Sequence, residues 1–260
     1  MRDTDIGWVG LAASLVLVAV AVGLSGWQRL HLSRSIVWAC LRAAAQLLVV
    51  GFALKLVLEP DAPLVWAFVW VAVMVVFAGV TIRNRAREVP GILPLGLLAM
   101  LAVVVVSLSV ILGFGMFPAE ARTIVPLAGM MIGNSMTASV VVGRRIVGEL
   151  SDKRLEVEAR LALGHPWPDA ARPYVRSALR TALVPQIEST KAVGLVFLPG
   201  AMTGLVLAGT DAADAVTIQL AIMYLILGSV ATSIAVIGLG LTRRLFTPDH
   251  RLRRLARVSA

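Results

Sequence analysis

The fold of this chain is decided by the stretch GRRIVGELSDKRLEVEARLALGHPWPDAARPYVRSALRTALVPQ (143–186) and by STKAVGLVFLPGAMTGLVLAG (189–209), which follows it. The first part is polar, whereas the second is apolar and is interrupted by Pro199 and Gly200. Runs that are too apolar for a soluble protein lie on both sides of the polar part. A long polar segment in that setting is typical of the cytosolic loop of a polytopic membrane protein.

Two helices are predicted within the polar part. Residues 158–165 predict the end of a short helix that Gly164 closes, because glycine takes the left-handed conformation found after many helices. Pro168 suits the first turn of the second helix. Pro173 is expected to kink or restart that helix, because it removes a backbone donor.

The second helix separates its charges from its apolar residues. Arg172, Arg176 and Arg180 recur every four residues and form one cationic stripe, while apolar side chains cover the other side. Two interpretations stay open for this helix. In the first, it is an interfacial helix whose arginines meet anionic lipid headgroups. In the second, it is part of a docking site for a soluble motor protein.

Composition assigns the chain to the polytopic, all-α membrane proteins. Hydrophobic residues make up 58% of the sequence, and several apolar runs reach about 20 residues, which matches a hydrocarbon thickness of about 30 Å. The 24 Lys and Arg residues against 15 Asp and Glu fit positive-inside topology, so nucleic-acid binding is not expected. The single cysteine, Cys40, excludes an intrachain disulfide and a cysteine-based metal cluster within one chain.

The apolar runs predict seven transmembrane helices. They lie at 6–27, 36–58, 63–81, 91–114, 123–143, 189–209 and 215–241. With seven spans, the connections that hold most of the 24 basic residues all fall on one side. The N-terminus is therefore expected outside and the C-terminus in the cytosol, in the cell membrane.

The chain shows no internal repeat and no separate soluble domain, so 1–260 is expected to form one transmembrane permease domain. Within it, 144–185 is the predicted cytosolic coupling loop with its amphipathic helices, and 243–260 is a basic cytosolic tail.

Polar residues inside the spans are candidates for a translocation path, because such groups are costly in hydrocarbon. Arg42 and Gln46 lie four residues apart on one helix face, although Arg42 is near enough to the cytosolic end to snorkel. Asn134 lies at bilayer depth in the fifth span, where helix packing is the alternative to substrate contact.

The sixth span carries the strongest candidates for this path. Glu188 and Lys191 are three residues apart and are expected to pair. Pro199 and Gly200 break the span, and such breaks occur where backbone lines a cavity or packs on protein. Met202 lies just beyond the break.

Several of these segments resemble FetB-type permeases of ABC transporters. The resemblance rests on VPQIESTKAVGLVFLPGAMTG (184–204), on GMMIGNSM (129–136), on LALG (161–164), and on Arg42 with Gln46. It covers nearly the whole chain. Two departures are Glu188 in place of Asp, which keeps the charge, and Ala212 in place of Pro, which leaves the shape of that outer turn open.

The resemblance implies a membrane subunit that pairs with a second copy and is driven by a separate ATPase. It further implies iron export and resistance to oxidative stress in bacteria, and plant relatives in aluminium tolerance imply that the substrate varies. Glu158 with Gly164 is similar to the coupling loop of ABC importers. We expect Leu161, Leu163, His165 and Trp167 around Gly164 to enter a groove on the ATPase.

The chain itself has no ATP-binding loop. Its lysines, Lys55, Lys153 and Lys191, do not follow glycine, so no Gly-Lys-Ser/Thr loop is present to cradle phosphates. No cofactor is expected in this chain, and ATP is expected to bind to the partner subunit. An enzyme is disfavoured because no nucleophile and base converge in the sequence, and a secondary transporter is disfavoured because paired intramembrane acids and an inverted repeat are missing.

The identity of the substrate is where the sequence is least informative. The histidines lie on the predicted cytosolic side and Cys40 is alone, so no set of imidazole and carboxylate ligands for iron is apparent in one copy. Methionine thioethers suit copper better than iron. Iron export, including export of a chelated metal, therefore rests on the resemblance, with a polar organic solute as the alternative.

Overall fold

The computed structural model describes residues 8–57, 63–195, 198–247, 249 and 251–253. Within these residues the regular secondary structure is helical, and an isolated bridge joins Phe246 and Leu252. The helices are α1 Trp8–Trp27, α2 Ser33–Val57, α3 Val65–Arg85, α4 Ile92–Gly113, α5 Ala121–Asp152, α6 Arg154–Ala162, α7 Trp167–Ala192, α8 Gly200–Leu207 and α9 Ala212–Leu245.

Among the described residues, five helices are long and apolar enough to cross a membrane, namely α2, α3, α4, α5 and α9. α1 contributes a shorter apolar helical stretch, Ala12–Trp27, which is below the length required of those five. The all-helical membrane class is therefore confirmed, whereas seven spans and the orientation stay predictions. The first and second predicted spans also extend into residues 6, 7 and 58, which lie outside the described ones.

The chain forms two compact units, Met1–Ala62 and Pro63–Ala260. In the first unit, α1 and α2 pack against each other. Their connection is held at Ser25, whose hydroxyl accepts a hydrogen bond from the Leu32 amide at 3.1 Å. The hydroxyl of Ser33 donates to the Val22 carbonyl at 3.4 Å.

In the second unit, α3, α4, α5 and α9 form the core, with α7 packed on α5 and α9. Small residues bring these helices close together. A Cβ added at Gly96 would lie 3.3 Å from Ile82, and one added at Gly143 would lie 3.3 Å from Ile92. Such close approaches are typical of helix contacts in membranes, where small residues allow tight van der Waals packing.

Buried serines line the contact of α4 and α5 with α9, and we call Ser107, Ser135, Ser229 and Ser233 the serine seam. The hydroxyls of Ser107 and Ser229 are 2.7 Å apart, and the Ser233 hydroxyl donates to the Ser135 carbonyl at 3.4 Å. All four side chains are buried. Hydroxyl contacts of this kind hold helices together where water is absent.

The predicted sixth span, 189–209, is not one helix. α7 is continuous from Trp167 to Ala192 and therefore passes the predicted end of the loop at residue 185. The described residues that follow, 193–195, 198 and 199, are not helical. α8 begins at Gly200 and has 8 residues, which is about 12 Å and too short to cross a bilayer alone.

The two internal prolines of α7 are accommodated without ending the helix, so Pro173 does not restart it, whereas a kink at Pro173 stays a prediction. Proline at this position leaves the Asp169 carbonyl without its helical donor. Asp169 is exposed in the first turn of α7, so solvent can supply the missing donor. Pro168 lies in the first turn as predicted.

Candidate functional site

Several segments of the second unit meet at one end, which we call the basic end. The Arg144 guanidinium pairs with Glu88 of the α3–α4 turn, and Arg244 of α9 donates to the Gly91 carbonyl at 3.2 Å. These contacts bring together the α3–α4 turn, the last turns of α5 and the last turn of α9. The sequence assigned the same basic segments to one side of the membrane.

The corner between α6 and α7 also lies at this end. Gly164 has a φ of +87°, and its amide donates to the Leu161 carbonyl at 3.0 Å. The next amide, that of His165, donates to the Arg160 carbonyl at 3.1 Å. This pair of bonds is the Schellman arrangement, so Gly164 closes α6 as the sequence predicted.

α6 has one face packed on the protein and one face that is free among the described residues. Val157 is fully buried and Leu161 packs against the core. On the opposite side, Leu155 is 82% exposed and Leu163 is 79% exposed, and Ala159 and Ala162 lie between them. This exposed apolar stripe follows helical spacing and is suited to contact another protein.

The remaining predicted coupling residues differ in their surroundings. His165 is exposed, whereas the Trp167 ring stacks on Phe246 with the ring centroids 5.4 Å apart. Trp167 therefore joins the start of α7 to the end of α9. Glu158 pairs with Arg154 one turn earlier on α6, with Nε and Oε1 2.7 Å apart.

A polar network fixes α6 against α7. The Glu156 carboxylate accepts hydrogen bonds from the Lys153 ammonium at 2.9 Å and from the Tyr174 hydroxyl at 3.0 Å. The bond from Lys153, followed by that from Tyr174, lowers the pKa of the Glu156 carboxyl below its usual range. The Arg160 guanidinium lies 6.0 Å from the centre of the Tyr174 ring.

The described part of the predicted basic tail is folded back on the protein. Phe246, Thr247, Arg251, Leu252 and Arg253 form a C-terminal hook, in which the Thr247 amide donates to the Arg251 carbonyl at 2.9 Å. Phe246 is 4% exposed and Leu252 is 5% exposed. The signal for this hook in the sequence was the presence of the apolar residues Phe246 and Leu252 in a tail that was predicted from its positive charge alone.

α7 carries four cationic side chains on one side of the helix, although Leu183 and Ile187 lie on that side between Arg180 and Lys191. Arg172, Arg176, Arg180 and Lys191 fall within about 100° of one another around the helix, and we call these four the cationic face of α7. All four are exposed. The sequence assigned the arginines to an interfacial helix and Lys191 to a separate span, but the structure has them on one helix.

The other predicted path residues of the second unit do not converge on a single point. Glu188 and Lys191 form the predicted pair, with Oε1 and Nζ 2.9 Å apart. The exposed Asn134 side chain donates to the Met130 carbonyl on its own helix at 2.8 Å. Pro199 precedes the first turn of α8, which Gly200 begins, and Met202 is half-buried.

Arg42 and Gln46 lie one turn apart on α2 of the first unit, and both are exposed. In the outer turn, Ala212 is the first residue of α9, which Asp211 caps by accepting a hydrogen bond from the Ala213 amide at 2.9 Å. Alanine therefore occupies the first helical position, where proline would also fit. No group of three or more His, Cys, Asp or Glu side chains suited to hold a metal ion occurs among the described residues.

Comparison with known proteins assigns the chain to a family. The model of the family described as "Uncharacterised protein family (UPF0014)" matches residues 8–246. The rice protein "UPF0014 membrane protein STAR2" is 36% identical over 232 residues, covering 89% of this chain and 81% of the relative. The Arabidopsis "Protein ALUMINUM SENSITIVE 3" is 34% identical over 87% of this chain and 83% of its own length.

The Escherichia coli "Probable iron export permease protein FetB" is 30% identical over 262 residues, which cover 97% of both chains. No solved structure matches the chain. The matches run through α1 to α9, and with the apolar helices they confirm a multi-pass membrane location. The chain is therefore a member of the UPF0014 family of membrane proteins, as its resemblance to FetB-type permeases implied.

Proposed function

We propose that this chain is the membrane-spanning permease subunit of an ABC transporter that exports iron, protects against oxidative stress and is driven by a separate ATPase subunit. The observation that carries the proposal is the α6–α7 corner, which presents the exposed apolar stripe beside the glycine turn. A stripe of this kind at the basic end is what an ATPase groove needs in order to grip the membrane subunit. The printed name of the E. coli relative supports iron as cargo.

The permease is proposed to work as a dimer of two copies, with seven crossings in each copy. α7 and α8 together supply the sixth crossing, because α7 pairs antiparallel with α9 and α8 also packs on α9. Trp167 meets Phe246 at the basic end, whereas Leu179 meets Gly238 farther along. The interruption before α8 then lies where its free backbone groups line a path or contact protein.

In this mechanism the corner transmits force from the ATPase to the path. Movement of α6 is passed to α7 through the hydrogen bond between Glu156 and Tyr174 and through the covalent turn at Gly164. The same movement reaches α9 through the Trp167–Phe246 stack. α7 then changes the position of its polar face within the membrane.

A direct transport assay tests the cargo. Inverted vesicles that contain the chain and its ATPase subunit are given radiolabelled iron, with and without ATP, as ferrous iron or as the ferric citrate complex. ATP-dependent accumulation above a permease-free control is expected. Absence of accumulation in both conditions ends the iron assignment, and export of a polar organic solute then becomes the leading function.

Substitutions on α6 test the coupling surface. Leu155→Asp with Leu163→Asp places two charges on the exposed stripe and is expected to abolish assembly with the ATPase, because charges are excluded from apolar contact cores. The matched pair Leu155→Met and Leu163→Met keeps the stripe apolar and should assemble normally. Co-purification with the ATPase measures both. If the aspartate double variant and the methionine double variant co-purify equally well with the ATPase, the proposed surface is contradicted.

The glycine corner provides an independent test. Gly164→Val is expected to distort the corner, because a β-branched residue disfavours the φ of +87°. ATP hydrolysis should continue without transport, or the complex should be lost. Gly148→Val is the control, since nothing lies within 4 Å of a Cβ added there and its φ is helical. Normal transport by the Gly164 variant removes the case for this site.

The orientation is tested by labelling single cysteines in a variant that lacks Cys40. The seven-span arrangement expects the two ends of the chain on opposite sides of the membrane. Labelling of both ends from one side contradicts it. The vesicle assay with and without ATP also distinguishes an ABC permease from a secondary transporter, because transport by a secondary transporter would follow an ion gradient and would not need ATP.

A further inference from the structure

A groove runs along the seam between α7 and α9. Its larger part has a volume of about 820 Å³ and is lined by Arg176, Arg180 and Leu183 from α7 and by Ala231 and Ile234 from α9. A second part of about 310 Å³ continues towards the basic end. Both parts share Arg176 and Leu179, so the arginine stripe follows a single groove.

The groove is positively charged. Arg172 has a carboxylate near it, that of Asp169, whose Oδ1 lies 3.8 Å from its guanidinium. Arg176 and Arg180 form no ion pair with any side chain that the structure describes. The Ser177 hydroxyl beside them donates to the Glu149 carboxylate at 3.5 Å, and that carboxylate is itself paired with Arg145. The Thr181 hydroxyl donates to the Ser177 carbonyl at 3.0 Å, and Leu179 and Ile234 are apolar lining residues.

The groove reaches well into the apolar part of α9. Ala231 lies 13 residues before Arg244, which marks the basic end, and this separation corresponds to about 20 Å along a helix. The arginines lie closer to the basic end, because Leu179, which precedes Arg180, packs on Gly238, six residues or about 9 Å along a helix before Arg244. Arginine that faces lipid tails is costly, so it is found with water, a counter-charge or a ligand. A guanidinium keeps its charge at any physiological pH, so it cannot escape this cost by losing a proton.

We propose that the α7–α9 groove binds an anionic solute that presents carboxylate or phosphate oxygens to Arg176 and Arg180. The guanidinium fork matches these oxygens in a bidentate manner. Resting on the proposed function, the inference specifies the cargo: iron enters as an anionic carboxylate chelate, not as a free cation. A free cation would be repelled by the groove, and the described residues offer no group of three metal-binding side chains.

Direct binding tests the groove without transport. The purified full-length protein in nanodiscs of zwitterionic phosphatidylcholine is titrated calorimetrically with citrate and with ferric citrate. Arg176→Gln with Arg180→Gln is expected to weaken binding about tenfold for each arginine, because each loses a charge-assisted contact. Arg83→Gln with Arg85→Gln removes two exposed charges from the last turn of α3 and should leave the affinity unchanged.

A double variant that keeps both positive charges distinguishes bidentate recognition from simple charge attraction; it is compared with Arg176→Gln with Arg180→Gln, the glutamine pair. Arg176→Lys with Arg180→Lys keeps the positive charge but loses the planar fork, so its affinity should fall between those of the wild type and the glutamine pair. The melting temperature of each variant establishes that it is folded. A folded glutamine pair that binds citrate as tightly as the wild type overturns the proposal.

The anionic oxygens of a lipid headgroup are the other source of the same chemistry. A second set of nanodiscs therefore contains phosphatidylglycerol. If this lipid stabilises the wild type but not the glutamine pair, and citrate binds neither protein, the arginines serve a lipid and the proposal is overturned. Citrate binding that depends on both arginines in either lipid supports the proposal.

The transport assay distinguishes this inference from the proposed function. Ferric citrate should accumulate in inverted vesicles, and the glutamine pair should lose that accumulation while the α3 pair retains it. Equal uptake of free ferrous iron by the wild type and the glutamine pair would overturn the inference and leave iron export intact. Arginine-dependent citrate binding without uptake of any iron form would support the anion groove and remove the iron cargo.

Discussion

The serine seam and the cationic face of α7 lie beside the same stretch of α9, yet they have opposite surroundings. Ser229 and Ser233 turn towards α4 and α5, where they meet other hydroxyl or carbonyl groups and are buried. Ala231 and Ile234 line the groove that holds Arg176 and Arg180. Small hydroxyls buried between helices serve close helix packing. Arg176 and Arg180 have no ion-pair partner among the described residues, so they remain available to an anionic ligand from outside the bundle.

The difference predicts which side chains the fold needs and which the function needs. Substitutions in the seam, or in the contacts that hold α7 in place, should lower stability. Substitutions on the cationic face should leave stability almost unchanged and should alter binding and transport instead.

The largest loss of stability is expected for Phe246→Ala. The Phe246 ring is buried and stacks on Trp167, so its removal leaves a cavity where α7 joins α9 and costs about 3 kcal/mol. Chemical denaturation in detergent measures the free energy of unfolding. Phe114→Ala is the control, because that ring is 81% exposed. Similar values for both variants would show that the stack does not hold α7 in place.

Ser233→Leu should have the next largest effect. Its side chain is fully buried in the seam, and a larger group there forces neighbouring helices apart at a cost of about 2 kcal/mol. Thr217→Leu makes a comparable change at an exposed position of α9 and should be nearly neutral. An unchanged melting temperature for Ser233→Leu would mean that the seam is not closely packed.

Arg180→Gln should change the free energy of unfolding by no more than about 0.5 kcal/mol, the usual range for a surface substitution without a structural contact. The same variant should weaken ferric citrate binding. A loss of stability comparable to that of Ser233→Leu would make Arg180 a structural residue and remove the contrast between the two regions.

The smallest effect is expected at the exposed Glu156 contact. The pKa of its carboxyl is lower in the folded protein than its ordinary value of 4.5. Its stabilising contribution is therefore present above about pH 4.5 and is lost as the pH falls through the lowered pKa. Glu156→Gln should melt slightly below the wild type at pH 7, and this difference should shrink in acid. A difference that grows as the pH falls would contradict the assignment.

Local signals were sufficient for several parts of the candidate site. Gly164 closes α6 because its position in the sequence and its backbone freedom point to the same turn. Glu188 and Lys191 pair because their separation brings them to one face of a helix. The arginine stripe followed from its period alone. None of these inferences required knowledge of a neighbouring helix.

The sequence by itself determined that this is an all-helical membrane protein, because the length and hydropathy of each apolar run are local properties. It also determined the amphipathic character of α6 and α7. Only the tertiary structure decided that α7 continues past the predicted loop boundary, that Trp167 is held by Phe246, and that Leu155 and Leu163 stay exposed. It alone placed the arginines along a groove on α9, because a charge pattern gives the face of a helix but not what packs beside it.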